Sequence, residues 1–127
     1  MKLRFDKNSL RLRLKKSDVK ILQDHNCVTE TVIFPGGSFT FGLLLAADAT
    51  EINTRLKGQS IEVIVPFKLA LSWINSDTTG LYHTIVINHH HPLNIIIEKD
   101  FACKNRSDED LSDSFAENLT AGIPDEC

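Results

Sequence analysis

Arg11 and Arg13 alternate with Leu10, Leu12 and Leu14. Successive side chains of an extended chain point to opposite faces, so leucines turned to an interior leave both guanidiniums facing solvent. Lys7, Lys15 and Lys16 stand at the two ends of this stretch, and Asn8 precedes it. Guanidinium and ammonium groups neutralise phosphates and release counterions. Lys7, Asn8, Arg11, Arg13, Lys15 and Lys16 are therefore the candidate nucleic-acid-binding set, with the two arginines holding phosphates and Asn8 shaping the turn. A plain solvated strand face is the competing reading. No aromatic series accompanies the bases, so a stacking platform for single strands is not indicated.

Other residue types invite chemistry with less support. The tract His89, His90 and His91, with His83 in the strand before it, suggests a metal site. Adjacent histidines on a hairpin diverge, however, and no Cys, Asp or Glu stands at ligand spacing, so a His-rich polar turn is the expectation. Asp108, Glu109, Asp110 and Asp113 offer oxygen ligands without the glycine turn and ligand ladder of a calcium loop. Metal binding at either place stays open, and nothing calls for a cofactor or identifies a small-molecule ligand. Cys27, Cys103 and Cys127 form no close pair, which argues against a disulfide framework and against a CxxC motif. No phosphate loop, GxSxG elbow or HExxH motif is present, so no catalytic residue is assigned and a non-enzymatic protein is expected.

The elements that position these residues follow from hydrophobic period. A chain of 127 residues with 42% apolar and 24% charged residues supports one globular core. Its longest apolar runs are too short to span a bilayer and the amino terminus lacks a signal-peptide pattern, so no membrane contact and a cytoplasmic location are the expectations. Placing Ser9 over Ser60 lays "NSLRLRL" on "QSIEVIV". Each strand-like stretch then gives way to helical spacing. One helix is expected over Asp18 to His25 with Ser17 as its cap, and another from Pro66 through Phe67, Ala70, Leu71 and Ile74. Two strands follow each helix, "VTETVIF" and "SFTFGLLLA" around Pro35 to Gly37, then "LYHTIVIN" and "LNIIIEK" around the His tract. Lys2 to Asp6 and Glu51 to Lys57 supply leading strands.

The expected fold is thus α+β and mostly antiparallel β, a tandem ββαββ repeat closing into one pseudo-twofold barrel-like core with two short helices. Residues 1–99 form the single domain, as repeats 1–47 and 51–99, and residues 100–127 an acidic, partly disordered tail. The expected core is Leu10, Leu12, Leu14, Phe39, Phe41, Leu43, Ile61, Val63, Val65, Trp73, Ile85, Ile87, Ile95 and Ile97.

"GQSIEVIVPFKLA" resembles the strand-proline-helix signature of the AbrB/MazE swapped-hairpin family, close to "GNSxxVRIPKxxx". Gly58, Ser60 and Pro66 match it in the second copy and Asn8, Ser9 and Arg13 in the first, where Lys7 stands for the Gly. The resemblance implies interlaced strands and, in many members, DNA binding. The whole chain, above all "MKLRF…NSLRLRLKKSDV" and "IIIEKDFACKNRSDEDLSDSF", also resembles a family of small bacterial proteins of unknown function.

Charge separates two classes of partner. Residues 1–20 carry eight bases against two acids, and residues 100–127 eight acids against two bases, within a net charge of −3. The basic end suits nucleic acid, and weak or degenerate binding through the first repeat is the leading expectation. The alternative is an antitoxin- or adaptor-like interaction module whose acidic tail docks on a basic protein. Since one chain completes the fold, a monomer is expected.

Overall fold

Alternation of apolar and charged residues produces strands wherever one face of the chain can be hidden. The computed structural model describes residues 1–101. In order they form β1 (Lys2–Asp6), β2 (Ser9–Leu14), α1 (Lys16–His25), β3 (Cys27–Phe34) and β4 (Gly37–Ala46). These are followed by β5 (Asn53–Lys57), β6 (Ser60–Pro66), α2 (Phe67–Ile74), β7 (Gly80–Val86) and β8 (Pro92–Lys99). The bulk of the acidic tail, with Cys103, Cys127, Asp108, Glu109, Asp110 and Asp113, lies outside the described residues. No helix among those described is long and apolar enough to cross a membrane.

The strands make two four-stranded sheets, ordered β1-β2-β8-β7 and β3-β4-β6-β5. Each joins one hairpin from residues 1–47 to one from residues 51–99. The join is parallel in both, β2 beside β8 and β4 beside β6, while the hairpin partners run antiparallel. The expected barrel is not formed. Both sheets are open, with β1 and β7 at the edges of one and β3 and β5 at the edges of the other. Apolar inner faces stack on each other instead of one sheet curling closed, which hides the same residues without an unbroken ladder.

Between the sheets the interior is built from Leu10, Leu12 and Leu14 of β2, Val63 and Val65 of β6, Phe41, Leu43 and Leu45 of β4, and Ile95 and Ile97 of β8. Leu22 of α1 and Ala70 and Trp73 of α2 join them. Phe39, Ile61 and Ile85 are only partly buried against this cluster. Ile87, expected inside, is 61% exposed because β7 ends at Val86 and leaves it in the connection to β8.

Both helix starts differ from expectation. Helix α1 begins at Lys16, with Lys15 rather than Ser17 as the flanking residue. The Asp18 carboxylate, in the first turn, reaches back to accept the Lys15 N–H at 2.8 Å, so the amide of the flanking residue is satisfied without a serine cap. Asn26 ends the helix in the left-handed conformation, φ 61°. Pro66 still pairs with Ala46 as the last residue of β6, and α2 starts at Phe67.

The β1–β2 and β5–β6 turns are built alike. Lys7 and Gly58 adopt left-handed backbone, φ 55° and 56°. Ser9 Oγ donates to the Asp6 carbonyl at 2.6 Å, and Ser60 Oγ to the Lys57 carbonyl at 2.9 Å. A side chain in this conformation costs about 1 kcal/mol. Nothing lies within 4 Å of a Cβ placed on Gly58, so backbone strain alone opposes a substitution there. Lys7→Gly is expected to raise the unfolding free energy by about 1 kcal/mol, and Gly58→Ala to lower it by a similar amount, in urea titrations. Equal midpoints for all three chains would remove this account of the turns.

Candidate functional site

The basic residues are placed by β1 and β2. Register sets Lys2 opposite Arg13 and Arg4 opposite Arg11, so these four bases share the outer face of the first sheet. Their neighbour on β8 is Glu98, directly opposite Arg13. Its Oε1 lies 3.3 Å from Arg11 Nε and 3.6 Å from Arg13 Nη2. Arg13 is 8% exposed. The expectation that both guanidiniums face open solvent is thus corrected: Arg13 is enclosed and both pair with one carboxylate, because β8 docks in parallel beside β2. Glu98 is held by charge rather than by a close hydrogen bond, since Oε1 has no hydrogen-bond partner.

The remaining members of the predicted set do not converge. Lys7 sits exposed in the β1–β2 turn, and Asn8 beside it uses its side-chain N–H to hold the Pro92 carbonyl at 2.7 Å. Asn8 therefore ties the first turn to β8. Lys15 and Lys16 lie beyond the other end of β2, roughly 20 Å from Lys7 at the rise of an extended chain. The face holds instead Lys2 and Arg4, which the set had omitted. The alternation within "KLRFD" was the signal for them once β1 and β2 were read as a hairpin.

The His tract is an exposed turn organised by Asn88. Its side-chain oxygen accepts the His90 N–H at 2.9 Å and lies 2.9 Å from His91 Nδ1. No cluster of three or more His, Cys, Asp or Glu that could hold a metal ion occurs among the described residues. Cys27 is a half-buried free thiol.

A second surface was missed by the sequence reading. All four hairpin turns lie at one end of the molecule, since β2 and β8 start together, as do β4 and β6, and α1 and α2 follow at the opposite end. Main-chain bonds tie the turns in pairs: Asn94 N–H to the Asn8 carbonyl at 3.1 Å and Thr40 N–H to the Gln59 carbonyl at 3.0 Å. This end exposes Phe5 (57%), Val32, Ile33 (85%), Phe34, Leu56 (76%), Val86 (73%) and Ile87. Between the sheets it opens into a cleft of about 190 Å³ walled by Phe5, Leu10, Leu56, Ile61 and Leu93, with Lys7 and Asn8 at its rim. The continuous run "TVIFPGG" carried the signal, because its apolar residues run past the start of β6, whose pairing with β4 begins only at Thr40.

This end offers an uncovered apolar surface rather than an array of convergent polar groups. Large exposed apolar patches mark places where soluble proteins meet other molecules. The outer face of the first sheet offers a second, charged surface, tempered by Glu98.

No curated protein matches the chain, and no solved structure does. Residues 1–119 match the model of a family of unknown function, DUF7009. With all but the last eight residues covered, the chain belongs to this family of unknown function.

Proposed function

We propose that this protein is a non-enzymatic binding module that engages a protein partner through its four-turn end. One observation carries the reading: seven large apolar side chains stand uncovered at this one end, and two of them, Phe5 and Leu56, wall the cleft between the sheets. Keeping them in water forgoes about 1.5–3 kcal/mol for each such side chain that a partner could bury completely. A photo-crosslinking residue placed at Ile33 or Leu56 is expected to trap a discrete adduct in living cells, while the same residue at Lys20, on the exposed face of α1, is not. Absence of adducts from both turn positions would sink the proposal.

We read the fold as two copies of a ββαββ unit, residues 1–47 and 51–99, interlaced as in the AbrB/MazE swapped-hairpin families. The matching turn conformations of Lys7 and Gly58, the matching serine bonds of Ser9 and Ser60, and the parallel joins β2/β8 and β4/β6 support this reading.

Nucleic-acid binding is the second reading, favoured by the shared face of Lys2, Arg4, Arg11 and Arg13. Glu98 opposes it by neutralising part of that charge. Glu98→Ala is accordingly expected to lower stability by about 1–3 kcal/mol, since the enclosed Arg13 loses its partner, while raising duplex affinity. Arg4→Ala/Arg11→Ala is expected to weaken binding and to flatten the dependence of log K on log salt by about 2. Titrations at two salt concentrations check both. A Glu98→Ala chain with unchanged duplex affinity would exclude this face.

A further inference from the structure

The outer face of the first sheet combines bases with apolar groups. Register sets Arg4, Arg11, Ile96 and Tyr82 in one row across the four strands, and Lys2, Arg13, Glu98 and Gly80 in the next. Residues paired across a sheet point to the same side, so both rows look away from the core. Asp6 and Val86 lie on that side as well, nearer the turns. Lys2, Arg4, Tyr82 and Val86 are exposed, and Ile96 is half-buried. A Cβ at Gly80 would stand 3.1 Å from Glu98 Cγ and 3.2 Å from the Tyr82 hydroxyl oxygen, so the phenol and the Glu98 side chain converge over that glycine. The charged and apolar parts of the face therefore form one patch.

Its charge is positive in excess, with four bases against Glu98 and Asp6. Arg11 and Arg13 pair with Glu98, whereas Lys2 and Arg4 have no ion-pair partner among the described residues. The chain itself supplies a complement. Asp100 donates its N–H to the Leu14 carbonyl at 2.7 Å, so the chain leaves β8 beside the end of β2, where Lys15 and Lys16 are exposed. Beyond Phe101 the sequence interleaves Asp108, Glu109, Asp110, Asp113 and Glu117 with Leu111 and Phe115. Acids mixed with large apolar residues match a face that mixes bases with Ile96 and Tyr82. Length suffices for the return: Ile96 lies five residues back along β8 from Phe101, about 17 Å, while the twelve residues from Phe101 to Asp113 span up to ~40 Å. The four-turn end is farther from this exit, and its lysines are Lys7, beside Asp6, and Lys57.

We infer that residues 102–127 of this same chain fold back on the outer face of the first sheet, with the acids of residues 108–117 toward Lys2 and Arg4 and with Leu111 and Phe115 toward Ile96 and Tyr82. An external polyanion must displace this segment to reach the arginines. The inference goes beyond the reading of the four-turn end as a docking surface and does not rest on it.

A benzophenone amino acid in place of Phe115, in the purified full chain at about 50 mM salt, tests it. Irradiation is expected to give an intrachain adduct that mass spectrometry maps to Tyr82, Ile96 or Val86. Raising the salt to about 1 M, where the Debye length is ~3 Å, is expected to lower the yield at least about twofold. Lys2→Glu/Arg4→Glu is expected to do the same at low salt, while Lys57→Glu/Lys68→Glu, an equal change of charge at exposed lysines elsewhere, leaves the yield unchanged. Circular dichroism of each variant checks the fold. No intrachain adduct, adducts only between chains, or adducts at Phe5 or Leu56 overturns the inference. A yield indifferent to salt and to Lys2→Glu/Arg4→Glu, or lowered equally by the control pair, overturns it too. Of these results only adducts at Phe5 or Leu56 would touch the reading of the four-turn end, by making the chain itself its occupant.

Discussion

Truncating Trp73 to alanine is expected to lower the unfolding free energy by about 3–5 kcal/mol, the range for removing a large buried aromatic side chain. Trp73 is 2% exposed in the last turn of α2. Its indole N–H donates to the Thr79 carbonyl at 3.2 Å, just before β7 begins. Lys99, at the end of β8, sets its ammonium 5.6 Å from the ring centroid and donates to the Ser76 carbonyl at 2.6 Å. One side chain therefore ties a helix to the start of one strand and the end of another. Because small domains hold only about 5–15 kcal/mol in total, this loss consumes a large share of the stability. Trp73→Phe keeps most of the packing and loses the N–H bond, so a smaller cost of about 1–2 kcal/mol is expected. Urea titrations followed by circular dichroism measure both, as the chain has one tryptophan and the variants lose that fluorescence signal. A cost below about 1 kcal/mol for Trp73→Ala would contradict the placement of the indole in the core.

What the sequence could announce was local. Leu10, Leu12 and Leu14 alternate with charges, as do parts of the stretch from Ile61 to Val65, and burial of alternate residues follows from the pleat alone. Asn26 stops α1 because a short polar side chain tolerates left-handed backbone. What it could not announce was contact between distant segments. Arg13 does lie on the face opposite the leucines, as alternation requires, but its exposure depended on which strand arrived next to β2. That strand is β8, more than eighty residues away, and it brings Glu98. The barrel failed for a related reason: pattern fixes which face is greasy, while closure depends on whether edge strands find one another. Phe5, Val32 and Leu56 show the same limit from the other side. Register sets them opposite Leu10, Phe39 and Ile61 on the inner faces, yet the sheets extend past the packed interior at the turn end and leave them uncovered.

That limit bears on function. The residues most legible as chemistry, the arginines and histidines, are partly neutralised by Glu98 or confined to a turn organised by Asn88. The residues most exposed against their own preference are apolar, and their gathering at one end emerges from strand register rather than from any motif. A binding surface made this way leaves no short signature to find.

Asp18 supports two structures at once, and its removal is expected to lower stability by about 2–3 kcal/mol. It is 7% exposed. One contribution is the start of α1, where its carboxylate accepts the Lys15 N–H, an end contact worth about 1 kcal/mol. The other is an ion pair, with its Oδ2 3.0 Å from the α-amine of Met1, which Glu30 also contacts. Burial works against the charge of this amine, but the hydrogen bonds to Glu30 and Asp18 and the attraction of both carboxylates outweigh it, so its pKa is raised from the ordinary 8.0. A raised folded-state pKa means that the folded chain holds the proton more tightly than the unfolded one. The resulting stabilisation is complete below the unfolded value of 8.0 and is lost as pH climbs through the higher folded value. Wild-type stability is therefore expected to fall between pH 7 and about 9.5, and more steeply than that of Asp18→Ala, in which Glu30 alone faces the amine. Asp18→Asn, which keeps an acceptor for Lys15 but no charge, is expected to lie between the two in stability and to share the shallower slope. Urea midpoints of the three chains at both pH values decide the matter. Parallel declines would show that Asp18 takes no part in holding the proton on the amine, and the loss in Asp18→Ala would then belong to the helix start alone.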